Sequence, residues 1–254
     1  MIKAENLTKT YGPYTALHNV SFEIQKGEIV GFLGANGAGK TTTMRILTGF
    51  YQPTSGTASI DGFSVTEQPD EVKKRIGYLP ELPPLYPEMT VESYLEFVLE
   101  LKKVPKQFRK QNLEWALEKC GLLDRRRSII STLSKGYRQR VGIAQAVIHK
   151  PAVIILDEPT VGLDPLQIIE IRKLIHSFSN EHTVLLSTHI LSEVTATCQR
   201  AIIINLGHIV HEQKIQDLSE KKSLEEVFLE VISKDFAMQE KAKLTEISKK
   251  VSSV

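Results

Sequence analysis

Residues 29–47 read IVGFLGANGAGKTTTMRIL, an apolar run, a glycine-rich turn and then a helical pattern. The turn, Gly34 to Thr41, fits the phosphate-loop pattern G-x-x-x-x-G-K-[ST]. It also stands where such a loop has to stand, after a strand and before a helix. Glycines let the backbone wind tightly enough for several N–H groups to converge on phosphate oxygens, and the helix that follows contributes the positive end of its dipole. Asn36, Gly37, Ala38, Gly39 and Thr42 are therefore expected around the phosphates, with Lys40 reaching the β- and γ-phosphates and the Thr41 hydroxyl on Mg²⁺.

Working outward, a second apolar strand, Val153 to Leu156, ends in Asp157 and Glu158. Ligands of an open α/β sheet lie beyond the carboxyl ends of its strands, so both carboxylates fall at the ligand edge. Asp157 suits a Mg²⁺ shell, and Glu158 suits polarisation of an attacking water. Taken alone, Asp-Glu-Pro after a strand is a turn; beside a phosphate loop it reads as an acidic half-site.

Residues 1–80 read as short strands and turns around one helix, with Pro53 to Gly56 as a turn and Ala58 to Ile60 and Ile76 to Leu79 as strands. From Pro83 to Lys150 the texture is helical. Thr90 caps a segment from Val91 to Lys103, and Gly121 ends another that begins near Lys106. Beyond Asp157 come a helix over Leu166 to Phe178, a strand over Val184 to Ser187, and a hairpin of Ile202 to Asn205 with His208 to His211. Strand and helix alternating in this way imply a mainly parallel sheet. After Gln216 the chain is rich in Lys, Glu and Ser; Leu224, Val227, Phe228 and Val231 give a short amphipathic helix, and the polar end gives no firm element.

With 254 residues, 41% of them hydrophobic, the chain can bury one large core or two modest subdomains. Its 32 Lys and Arg against 30 Asp and Glu leave no bulk charge footprint for nucleic acid. The longest apolar runs, such as Ala152 to Leu156, fall far short of the roughly 20 residues of a membrane-crossing helix. Met1 to Asn6 lacks the pattern of a secretory signal, so a cytoplasmic location is expected. Cys120 and Cys198 have no metal or disulfide spacing and read as reduced, partly buried thiols, while His208 and His211 read as a solvated face.

Just upstream of the acidic strand, residues 133–140 read LSKGYRQR. As residues alone, Ser134 is an N-cap for a helix carrying Val141, Ala144, Val147 and Ile148. LSKGYRQR also resembles the LSGGQ signature of the ABC ATPase family, and the likeness extends over nearly all of residues 1–232. Tyr11 matches the aromatic residue that stacks on adenine, Gly162-Leu163-Asp164 the D-loop, and Ser187-Thr188-His189 the switch histidine.

The resemblance implies a P-loop NTPase (RecA-like) core with a mainly parallel sheet, an antiparallel β subdomain and a helical subdomain. It implies a single ABC ATPase domain over 1–218, with its core in 1–82 and 151–218 and its helical subdomain in 83–150, then a partly flexible helical tail over 219–254. ATP and Mg²⁺ are the implied cofactors, with Lys40, Glu158 and His189 catalytic and with Thr41, Asp157 and Glu81 on the metal. Ser134 and Gly136 of a second copy, together with Asp164, would complete the site, so that ATP closes a homodimer. The implied partner is a membrane-spanning permease, docked between Glu81 and the helical block, which would make the chain peripheral on the cytoplasmic face of the cell membrane. No nucleic-acid partner is expected.

Glu81 stands where the family usually has glutamine; a carboxylate can ligate Mg²⁺ but accepts hydrogen bonds without donating them. Lys135 and Tyr137 replace Gly and Gln in the signature. GYLPE, residues 77–81, followed by Leu-Tyr and Met-Thr-Val is similar to exporter subunits of the drug, lipid, polysaccharide and gliding-motility type. The alternative is a non-transport, single-cassette ATPase such as one serving iron–sulphur assembly. DNA-repair and translation types would need coiled-coil inserts or a second cassette, and a GTP switch would need an NKxD motif; the sequence has none of these.

Overall fold

A computed structural model describes the backbone of residues 1–179, 181–219 and 223–251, and the side chains of these up to 237. The loop-bearing strand, β3 (Ile29–Leu33), is buried along its whole length. Val30 and Phe32 face one core and Ile29 and Leu33 the other, which explains an apolar run without alternation. Full burial of a side chain such as Phe32 stabilises the fold by about 1.5–3 kcal/mol.

Two sheets make the scaffold. The first, antiparallel, joins β1 (Ile2–Tyr11), β2 (Tyr14–Ile24), β4 (Ser55–Ile60) and β5 (Phe63–Ser64) in the order β2-β1-β4-β5. The second runs β10-β9-β3-β8-β7-β6 and contains β6 (Ile76–Leu79), β7 (Val153–Asp157), β8 (Thr183–Thr188), β9 (Arg200–Asn205) and β10 (His208–Lys214). Its pairings are parallel except for the terminal hairpin of β9 and β10. The helix after the loop, α1 (Lys40–Leu47), sends Met44 and Leu47 into the core between the sheets. On the opposite face pack α3 (Val91–Leu101), α4 (Lys106–Lys119), α5 (Lys135–Val147), α6 (Pro165–His176) and α7 (Leu191–Thr197). The hydroxyl of Thr90 accepts from the Ser93 N–H, as its place before Val91 requires.

Four expectations need correction. The first eighty residues hold two helices rather than one, because α2 (Pro69–Arg75) buries only Val72 and so shows no helical period. Their strands are also long: β1 and β2 run for 10 and 11 residues, with alternation broken where Asn6 and Asn19 take positive φ at register shifts. Ser55 and Gly56 belong to β4 rather than to a turn. The amphipathic segment from Leu224 is the start of α8 (Leu224–Val251), anchored by Leu224 and Val227 and continued by good helix formers. The last three residues of the expected tail, 252–254, lie outside the described residues.

Both cysteines are free and buried, and burial pushes the Cys120 thiol up to about 12. His208 stacks on His18, with ring centroids 4.6 Å apart. Among the described residues no helix is long and apolar enough to cross a membrane, and no group of His, Cys, Asp and Glu forms a metal cluster.

The seat of α5 is set by a close backbone approach. A Cβ on Gly77 of β6 would lie 1.9 Å from the carbonyl oxygen of Ala146. That contact is backbone on backbone and has no side chain to yield, so Gly77→Ala is expected to lower stability by about 1–3 kcal/mol. Urea denaturation measures it, and an unchanged midpoint would contradict this packing.

Candidate active site

The phosphate loop spans β3 and α1, and its lysine turns back across it. Lys40 is 6% exposed, and its Nζ donates to the carbonyls of Gly34 at 2.8 Å and Ala35 at 3.2 Å. Gly39 has φ of 110°, and a Cβ there would sit 2.7 Å from Leu17 Cδ2 and 3.0 Å from the Ala16 carbonyl oxygen, so the turn needs glycine on both counts. No side chain caps α1 and its first turn holds no acid, which leaves the positive end of the helix to an anion.

The acidic half arrives by parallel register. Asp157 at the end of β7 pairs with Ser187 on β8, and Thr188 pairs with Leu33 on β3, so three strand ends meet at one edge. Ser187 Oγ donates to Asp157 Oδ1, and Thr41 Oγ1 donates to the same oxygen at 3.4 Å. Asp157 Oδ2 is buried without a hydrogen-bond partner. Burial raises the Asp157 carboxyl above its ordinary range; the Ser187 and Thr41 bonds oppose the rise, and the charges of Glu158 and Glu81 add to it.

Glu158 lies between two partners. One carboxylate oxygen is 3.2 Å from Lys40 Nζ and the other is 2.9 Å from His189 Nδ1. Its backbone sits at φ 49°, an uncommon region for glutamate that costs on the order of 1–3 kcal/mol. The turn is held by its surroundings. The Glu158 N–H donates to the Ser187 carbonyl at 3.0 Å, and Gln139 Nε2 from α5 donates to the Pro159 carbonyl at 2.7 Å.

Tyr11, Asn36, Gly37, Gly39, Lys40, Thr41, Thr42, Glu81, Glu158 and His189 line one cavity of about 500 Å³, with Tyr14, Ala16 and Val161. Ala38 is buried in the loop behind it. Tyr51 meets the Tyr11 ring edge-on at 5.9 Å. The structure does not bring Ser134 and Gly136 to that cavity; they line another of about 380 Å³, with Gln167 packed against Gly136. Ser134 caps α5, and Asp164 caps α6 by accepting from the Leu166 and Gln167 N–H groups, each at 3.0 Å. A larger groove of about 710 Å³ lies between β10 and α8, away from the phosphate loop and the acidic strand. The sequence reading missed the parts played by Ser187, Gln139 and Tyr51. Ser187 was visible beside His189, whereas a buried polar residue inside α5 leaves no mark on the pattern.

A phosphate loop on a central parallel strand, opposed by carboxylates on the next strand but one, defines a P-loop NTPase. Within that class the family profile described as ABC transporter matches residues 17–161. The bacitracin transport ATP-binding protein BcrA of Bacillus licheniformis is 39% identical over 223 residues, covering 87% of this chain and 72% of that protein. A solved ATP-binding subunit of an ABC transporter superposes with a TM-score of 0.82 at 30% identity, covering 91% of this chain and 99% of the other. A dimeric, post-hydrolysis ATP-binding cassette bound to ADP and Pi superposes with a TM-score of 0.76 at 30% identity, covering 85% and 99%. The chain belongs to the ABC transporter family, as an ATP-binding subunit with ATPase activity.

The raised Asp157 carboxyl has a thermodynamic consequence. A carboxylate whose folded pKa lies above its unfolded value favours the fold fully below the unfolded pKa, and that contribution is lost as pH rises through the folded pKa. At neutral pH Asp157 therefore opposes folding of the nucleotide-free protein. Asp157→Asn is expected to raise the urea midpoint at pH 7, with the gain shrinking towards pH 3. A lower midpoint at pH 7 would contradict it.

Proposed function

We propose that the chain hydrolyses ATP to drive a separate membrane-spanning dimer of the exporter type, from the cytoplasmic face of the membrane. The observation that carries this reading is the division of the predicted contacts between two cavities of one chain, with Lys40, Thr41, Glu158 and His189 at one and Ser134 and Gly136 at the other. A single copy holds half of each contact set. Two copies related by a two-fold axis would bring Ser134 and Gly136 of one against the nucleotide held by Lys40 of the other. The dimeric relative bound to ADP and Pi supports this arrangement.

Tyr11, exposed at the end of β1, offers its face to the adenine, and the loop from Asn36 to Thr42 receives the phosphates. Lys40 moves from its carbonyl partners and Glu158 onto the β- and γ-phosphates. Glu158, freed of the lysine, takes a proton from the attacking water, while His189 orients that water and contacts the γ-phosphate. Asp164 continues the segment after Glu158 towards the partner. The residues present fit Mg²⁺, because the unpartnered Asp157 Oδ2, the Thr41 hydroxyl and the Glu81 carboxylate supply hard oxygen donors. When bound, the ion would neutralise charge on the β- and γ-oxygens.

The helical segment 83–150 and the cleft beside Glu81 form the expected docking face for the permease, within a single cassette over 1–218. The transport role of the bacitracin relative supports that assignment, and the GYLPE segment supports the exporter type. Nucleic acid has no part in this reading.

Closing the sandwich and firing it are separable. Glu158→Gln keeps the side-chain shape and removes its basicity, so hydrolysis is expected to fall by about 10² to 10⁴. Light scattering should then find a dimer with Mg-ATP and a monomer with Mg-ADP, and adding Ser134→Arg should abolish the dimer. Hydrolysis at the parent rate, or a monomer at saturating ATP, would overturn the two-chain site. Glu81→Gln, which restores the family's usual residue, is expected to keep ATPase activity within about tenfold of the parent, or roughly 1.4 kcal/mol. A larger loss in steady-state assays would assign the carboxylate a separate role.

A further inference from the structure

One buried carboxylate is left unused by this mechanism. Glu193, on α7, is 1% exposed and has no ion-pair partner among the described residues. Its two oxygens each accept from a threonine hydroxyl: Thr160 on one, and Thr188 at 2.8 Å on the other. Both threonines are buried as well. Neither hydroxyl is placed at random. Thr160 lies two residues after Glu158, in the turn that continues to Gly162 and Asp164, and Thr188 immediately precedes His189. The Thr188 oxygen also accepts from the Ile190 N–H at 3.1 Å, so the turn carrying His189 is wrapped around it.

We infer that Glu193 is a positioning residue that clamps the Glu158 turn to the His189 turn through Thr160 and Thr188. This rests on the roles proposed above for Glu158 and His189. The two side chains meet at 2.9 Å and come from different strand ends; the Glu158 N–H to Ser187 carbonyl bond joins the bases of the two turns, and the Glu193 carboxylate ties them a second time, through Thr160 and Thr188. A carboxylate suits the task because it accepts from two donors at once, in a fixed planar geometry. With both hydroxyls donating inward, rotation of either threonine breaks a buried hydrogen bond. The clamp also joins the base to the segment leading to Asp164. A shift of the Asp164 segment on pairing with a second copy would therefore be passed to Glu158 and His189 together.

Steady-state ATPase kinetics and fluorescent-nucleotide binding on the full chain test this, with rates normalised to the nucleotide-binding fraction. Glu193→Ala is expected to lower kcat by about 10- to 100-fold, the scale of a small displacement of reacting groups, while the nucleotide Kd stays within about twofold. Thr160→Val with Thr188→Val should reproduce the loss, and adding Glu193→Ala to that pair should cost little more. Glu193→Gln, which keeps the shape and one acceptor oxygen, should recover part of the rate. If these variants melt earlier but keep parental kcat per binding-competent molecule, Glu193 only supports the fold and the proposal falls. It falls equally if Glu193→Ala and the valine pair do not couple. Glu158→Gln, assayed alongside, separates the two readings: parental turnover there would sink the role of Glu158 itself, whatever Glu193 does.

Discussion

The parallel hydrogen-bond register of β3, β8 and β7 is the constraint on which the site depends. Leu33 opposite Thr188 and Asp157 opposite Ser187 fix three strand ends at the same height. From that edge the chain has only to turn, and each turn delivers a different group: a lysine and a threonine from β3, two carboxylates from β7, a serine and a histidine from β8. A slip of one residue in either pairing would send every side chain of a strand to its opposite face. With both faces of this sheet buried, such a slip would cost two cores at once.

The same edge concentrates charge that the protein interior does not solvate. Lys40 and Glu158 are nearly inaccessible and balance each other, with His189 on the far carboxylate oxygen. Pairing of this kind offsets the desolvation of both ions and becomes expensive to break from one side only. Asp157 has no ion-pair partner among the described residues, and its side chain accepts from the Thr41 and Ser187 hydroxyls. The two carboxylates are thus unevenly compensated, Glu158 by Lys40 and Asp157 by hydroxyls, with its Oδ2 unpartnered. An incoming polyphosphate with its metal would settle both imbalances together.

What could be read from the sequence followed from locality. The phosphate loop, the acidic strand and the Thr90 and Ser134 caps each concern residues within a few positions of one another, and for these the chain's own geometry decides. The helix Pro69–Arg75 escaped because seven residues with one buried side chain carry no period. The length of the first two strands was hidden by Asn6 and Asn19, whose left-handed backbones interrupt the alternation. Gln139 reaching the carbonyl of Pro159, and Glu193 joining Thr160 to Thr188, are contacts between segments brought together only by folding. No spacing rule reveals them. Ser134 and Gly136, which the family resemblance assigns to a second copy's nucleotide, line a separate cavity of this chain.

The central strand β3 is paired on both edges and buried on both faces. Its amides can meet solvent only when the whole sheet comes apart, so they belong to the slowest class in hydrogen exchange. Edge strand β10, half-buried and paired on one side, belongs to a faster class. The phosphate loop is therefore hung from the part of the molecule that opens last. Ligands can come and go at its free end while the strand behind it stays closed to deuterium.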